Sequence, residues 1–185
     1  MSSQPHKLKL LPPHIDYSGL IKEIGDANRS QGELKGLLAN IPNPDLLTTP
    51  LLTKEAVASS KIEGTQATIE DVFKYEAEGR NTENNSREQD VREIINYRMA
   101  IREATEILPK KAIGENFIKQ LHSILLNSVR GESKDRGNFR RIPVYIGKPG
   151  GSIENAIYIP PSSSELNELV SNWENILIAK KNLIH

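Results

Sequence analysis

Cysteine is absent from the 185 residues, so no disulfide and no thiolate metal site can staple the chain. Histidine is scarce as well: His6, His14, His122 and His185 are scattered without a close pair, which argues against a zinc centre. Net charge is missing too. Lys plus Arg and Asp plus Glu each number 24, so no global field draws the chain toward nucleic acid or an anionic membrane. No stretch approaches the roughly 20 apolar residues of a membrane span, and Met1 to Pro13 lacks the apolar run of a signal peptide. A cytoplasmic protein is expected, in keeping with a reducing compartment. The length suits one good-sized core with an N-terminal lead segment.

What is present is mostly helical pattern. Residues 1–15 hold Pro5, Pro12 and Pro13 among Leu8, Leu10 and Leu11, which reads as an extended arm whose leucines dock on the core. From Asp16, a good N-cap, Leu20, Ile21, Ile24, Ala27, Leu34, Leu37 and Leu38 recur at helical period. They predict a helix over Tyr17 to Asn40. Gly25, Gly32 and Gly36 each cost on the order of 1 kcal/mol there, so tertiary packing is expected to supply most of its stability. Pro42 and Pro44 end it. Asp45 then caps a helix running to Glu63, with Pro50 placed to split it in two. Thr68-Ile69-Glu70-Asp71 reads as a capping box that opens a short helix to Glu78, with Asp in the position usual for Glu. Gly79 to Ser86 is a polar loop. Ser86 caps a long helix bearing Val91, Ile94, Ile95, Ala100, Ile101, Ala104, Ile107 and Leu108, stopped by Pro109. A further helix spans Gly114 to Ser128. His122 sits beside its apolar stripe, where a lone histidine reads as structural, with catalysis as the alternative.

The character changes at Arg130. Ile142-Pro143-Val144-Tyr145-Ile146 and Ala156-Ile157-Tyr158-Ile159 are short β-type runs around a glycine-rich tip, and they predict a hairpin over about 142–160. Its open edge could accept an extended peptide by strand addition, or it is a plain connector. Gly150-Gly151 lacks the Lys-Ser/Thr ending of a phosphate loop. Pro160-Pro161-Ser162 precedes a last helix to about Ile178, with Trp173 on its core face.

The most informative stretch is Glu55 to Thr65. Ser59 and Glu63 stand at i and i+4, on one helix face, and Gly64 follows where a left-handed residue ends a helix. The pair can point together into whatever the helix covers. Ala56, Ala58, Ser59 and Ser60 are small enough for close approach to a neighbouring backbone. The ordinary reading of a Glu at a helix end is a solvated side chain.

This string, Glu55-Ala56, Ser59-Ser60 and Ile62-Glu63-Gly64-Thr65-Gln66, resembles the inhibitory helix of Fic (Fic/DOC) proteins of the class whose inhibitory motif lies N-terminal to the core. Gly137-Asn138-Phe139-Arg140, Val144-Tyr145-Ile146-Gly147 and Ile159-Pro160-Pro161 are similar to the family's loop, flap and following helix start. The resemblance covers roughly residues 10 to 180. It implies a mainly α, Fic-like helical bundle with one β-hairpin, the flap, and an incomplete core. It divides the chain into an arm over 1–15, a helical region over 16–84 with an inhibitory helix at about 45–63, and the N-terminal part of a Fic core over 85–185.

The resemblance further implies AMP transfer from ATP, with Mg, to hydroxyls of a target protein. Ser59, Glu63 and Gly64 would lie near the nucleotide, with Glu63 as the autoinhibitory residue. Val144, Tyr145, Ile146, Gly147, Ile157, Tyr158 and Ile159 would dock the target segment. The family signature, H-x-F-x-(D/E)-G-N-G-R-x-x-R, occurs nowhere in these residues, so no catalytic residue is assigned and neither ATP nor a metal site rests on this chain alone. In the family it follows the helix matched here by 163–178, so the chain is expected to stop just short of it. Apolar helix faces left exposed would then favour a homo-oligomer. The alternatives are a non-catalytic, antitoxin-like binding module and an inert remnant.

Overall fold

The computed structural model describes residues 4–13, 16–78, 85–129, 133 and 135–181. Among them are six α-helices: α1 Ile21–Ala39, α2 Asp45–Ile62, α3 Ile69–Glu78, α4 Asn85–Ile107, α5 Glu115–Leu125 and α6 Leu166–Lys181. Short 3-10 turns stand at Ser18–Leu20 and Ile153–Asn155. The fold is mainly helical, as the periodicity predicts, and no described helix is long and apolar enough to cross a membrane.

The core forms where α2, α3 and α4 meet. Helix α2 buries Thr53, Ala56, Val57 and Ser60, which fall at i, i+3, i+4 and i+7 on one face. The Thr53 hydroxyl donates to the Thr49 carbonyl at 3.0 Å, so its burial leaves no unpaired group. Because this face is built from small side chains, α4 can approach closely and insert Val91 and Ile94, with Val72 of α3 and Ala67 completing the cluster. Ile69, Tyr75, Ile95 and Tyr97 pack around it. Helix α5 lies along α4. Buried Asn96 ties them, its amide donating to the carbonyl of Leu125 at 3.1 Å, an orphan of the α5 C-terminus, and to that of Asn127 at 2.8 Å, two residues beyond it.

Several expected boundaries move. Pro50 does not split α2, which runs unbroken from Asp45 to Ile62 with Pro44 at its N-cap. The carbonyl that Pro50 cannot satisfy belongs to Leu46, an exposed residue in the first turn, where water can serve it. Helix α4 begins at Asn85, so Ser86 lies inside its first turn instead of capping it. The loop predicted over Gly79 to Ser86 falls at 79–84 outside the described residues. Helix α5 stops at Leu125 instead of Ser128, which turns left-handed at φ 56°. Trp173 is half-buried, not core.

Helix α1 departs most from expectation. It forms, yet it packs on none of the other five helices, and Ile21, Ile24, Leu34 and Leu37 stay exposed, Ile21 and Leu37 each 68%. Local bonds hold it instead: Ser18 N–H donates to Asp16 Oδ1 at 2.9 Å, Asn28 Nδ2 to the Ile24 carbonyl at 2.9 Å, and Arg29 pairs with Asp26.

The capping box predicted at Thr68 is present. Thr68 N–H donates to Asp71 Oδ2 at 2.8 Å, and Asp71 N–H returns to Thr68 Oγ1 at 3.2 Å. The Arg87 Nη2 adds a bond to the same carboxylate oxygen at 2.9 Å. Burial pushes the Asp71 carboxyl up, but the Thr68 and Arg87 bonds outweigh it and hold the group below its ordinary 3.8. A depressed folded pKa adds stability that is complete above 3.8 and is lost as pH falls through the folded value. Asp71→Ala should therefore cost about 1 kcal/mol at neutral pH, and the gap to the parent chain should narrow as pH falls through the lowered folded value. Urea unfolding across pH checks this; a gap unchanged by acid would remove the carboxylate from the cap.

The predicted hairpin is reduced to one antiparallel bridge. Ile146 N–H donates to the Tyr158 carbonyl at 2.8 Å, and Ile157 and Tyr158 N–H groups donate to the Ile146 carbonyl at 2.8 and 3.2 Å. No β-strand is found among the described residues. Pro143 and Pro149 bring no N–H to a ladder, and Ile142 faces solvent, so pairing does not propagate. The tip is closed locally, with Tyr145 Oη on the Gly151 carbonyl at 2.6 Å.

Candidate functional site

The end of α2 is built by a Schellman motif. Thr65 N–H donates to the Ser60 carbonyl at 3.1 Å and Gly64 N–H to the Lys61 carbonyl at 3.0 Å, the nested pair of that motif. Gly64 sits at φ +96°, a conformation in which a Cβ is strained, so glycine is required by the turn. Glu63 is the C-cap residue directly before it. The segment that follows is fastened down. Gln66 N–H donates to Asp90 Oδ2 at 2.7 Å, Asp90 itself is buried in α4, and Thr65 and Ala67 are buried beside it. Glu63 is thus exposed on a main chain locked on both sides, and among the described residues nothing pairs with its carboxylate. An exposed carboxylate on a stiff support is suited to meet a cation brought to it.

Ser59 does not bond to Glu63. Its hydroxyl donates to Glu55 Oε1 at 2.8 Å, one turn back, so it bonds away from Glu63. Nor do the two point into covered space: Ser59 is half-buried and Glu63 is exposed, because the buried face of α2 is the Thr53-Ala56-Val57-Ser60 stripe. Of the small residues, Ala56 and Ser60 make the close approach and Ala58 faces out. Asp90 was not singled out by sequence reasoning. The available signal was a carboxylate four residues before Ile94, on the buried stripe of α4.

In the second half, Val144, Tyr145, Ile146, Ile157 and Tyr158 are exposed around the single bridge, Ile157 at 79%, and Gly147 is half-buried. Ile159 is buried and its carbonyl accepts the His6 N–H at 2.8 Å. His122 has a structural bond, its Nδ1 accepting the Gly137 N–H at 3.0 Å, where Gly137 turns left-handed at φ +73°. Arg140 is pinned by a bond from its guanidinium to the Pro161 carbonyl. The Gly150-Gly151 turn spends its Gly151 N–H on the Lys148 carbonyl at 2.9 Å, so it does not offer the converging free donors of a phosphate loop.

The family model described as Fic/DOC family N-terminal matches residues 21–106, from the start of α1 to the end of α4. The chain carries a Fic N-terminal region. That region contains the α2–α3–α4 core, the Schellman turn and Glu63, whereas the bridge at Ile146 and Tyr158 lies beyond its match. No curated protein matches the chain.

Proposed function

We propose that this chain is the regulatory and target-docking part of a Fic-type protein adenylyltransferase, an enzyme that moves AMP from the substrate ATP to protein hydroxyls. The observation that carries this reading is Glu63 at the Schellman end of α2, inside the Fic N-terminal region. Held there, its carboxylate competes with phosphate for an arginine of the catalytic signature and repels the polyphosphate, which restrains transfer. Ser59 supports the helix through Glu55, and Gly64 sets the angle at which Glu63 leaves it. Val144 to Gly147 and Ile157 to Ile159 offer main-chain groups and apolar side chains to an extended target segment.

These residues supply no general base and no phosphate loop, so no chemical step runs through them. With labelled ATP, the 185 residues alone should transfer no AMP, and the polypeptide that joins them to the family's His-containing signature should label protein hydroxyls. Incorporation by the 185 residues alone, or none by the joined polypeptide, would overturn the assignment.

A further inference from the structure

Residues 4–13 run extended across the second half of the chain, and they do not dock by their leucines: Leu8, Leu10 and Leu11 remain exposed. Main-chain bonds hold them. His6 N–H donates to the Ile159 carbonyl at 2.8 Å, and Asn172 of α6 clamps Leu11 at both ends of its backbone, accepting from its N–H at 2.7 Å and donating to its carbonyl at 3.0 Å. The His6 bond is made on the edge where a strand would add. Tyr158 turns its N–H and carbonyl to Ile146, so the next carbonyl, on Ile159, faces the opposite edge, and His6 takes it. The His6 ring also lies against the Tyr158 ring, with centroids 5.7 Å apart. Lys7 adds charge complementarity. Glu165 is held below its ordinary carboxylate value first by bonds from Ser162 and additionally by the Lys7 ammonium.

Pro5 forms one wall of a cleft of about 370 Å³ whose other walls include Pro143, Val144, Ile153, Ile159, Pro160 and Pro161. The arm therefore covers the edge without filling the apolar space beside it. A segment bound by few bonds, next to unfilled apolar volume, is one that a better-fitting segment can displace.

We propose that this cleft and the Ile159 edge form a binding site for an extended, basic, proline-bearing peptide, and that the chain's own Pro5–Leu11 segment is its resident occupant. An incoming peptide must displace the arm, so the arm sets a threshold on docking. The identity of that peptide as a modified target rests on the adenylyltransferase reading. The binding itself does not.

The probe is a fluorescent peptide of residues 4–13, titrated into the full chain without nucleotide and followed by anisotropy. A tethered arm competes at a millimolar-range effective concentration, so the parent chain should bind the peptide about tenfold or more weakly than a released one. His6→Pro releases it by removing the N–H donor and leaves every wall of the cleft but Pro5, which the probe brings with it. Leu11→Pro in the chain releases the other end by removing the N–H that Asn172 accepts, leaves Asn172 to clamp the probe, and should move affinity in the same direction. Adding Ile153→Asp to His6→Pro should abolish binding while the helical circular dichroism stays unchanged. Equal affinity for the parent and both released chains overturns the arm as occupant. Binding that survives Ile153→Asp, or no binding to any chain, overturns the site. Failure of AMP transfer would leave each of these results standing.

Discussion

Replacing Glu63 with glycine should raise AMP transfer by roughly ten- to a hundredfold in the polypeptide that carries these residues together with the His-containing signature, the range set by one charge-assisted bond to a competing cation. The substitution deletes only the carboxylate. Glu63 is exposed, its described surroundings give it no partner, and Gly64 still makes the turn, so the helix end keeps its two Schellman bonds. Stability should change by no more than about 1 kcal/mol. Glu63→Gln separates charge from shape, and most of the increase should appear there too. Labelled-AMP incorporation at fixed ATP measures both. Unchanged or lower transfer by variants with parent-like thermal unfolding would take Glu63 out of the restraining role. On the proposed reading, Gly64 and Asp90 should move the same quantity as positioning residues, because they fix the turn that carries Glu63.

Ile94→Ala should be the most damaging single truncation in the described core. Ile94 is 0% exposed and lies among Ala56, Val57, Ala67, Val72 and Val91, where a lost side chain leaves a void. Leucine and isoleucine truncations of this kind cost about 2–5 kcal/mol. The neighbours here are too small to lean in and fill the space, which argues against the low end. For a chain of this size the cost lowers Tm by roughly 10 °C. Ile101→Ala, on the same helix but 37% exposed, should cost about 1 kcal/mol or less. Thermal and urea unfolding compare them. Equal losses at the two positions would mean that the α2–α3–α4 junction is not where stability resides.

Much of the fold was legible in local pattern, and the reason differs by element. Helix α3 was visible because its start is written in side chains: Thr68 and Asp71 satisfy each other's N–H groups within four residues. The end of α2 was visible for the same reason, since only glycine adopts φ +96° without strain and Gly64 stands where the apolar period stops. The interruption expected at Pro50 was wrong because a proline's cost depends on whether water can reach the orphaned carbonyl, which is a tertiary fact. The hairpin was overread. β-branched and aromatic runs around Gly150-Gly151 signal extended chain, but ladder length depends on N–H groups that Pro143 and Pro149 lack.

The candidate site divides in the same way. Glu63 and its terminating glycine lie next to each other in the chain, so their relation is a property of sequence, as was the Fic resemblance they suggested. Its support was not readable there, because Asp90 reaches Gln66 across 24 residues. The partner of Ser59 was not readable either, because its i−4 and i+4 neighbours are both acidic and only the built helix shows that its hydroxyl goes to Glu55.

By itself the sequence determined the helical class, the capping box at Thr68 and the glycine that ends α2 beside Glu63, because each of these is settled by interactions within one turn of helix. The tertiary structure alone decided that α1 stands apart from the other helices, that Asp90 and Asn96 are the buried polar ties, and that the N-terminal arm lies on the Ile159 edge. Those outcomes depend on which distant groups meet, and a contact spanning 161 residues, as between Leu11 and Asn172, leaves no periodic trace in the chain.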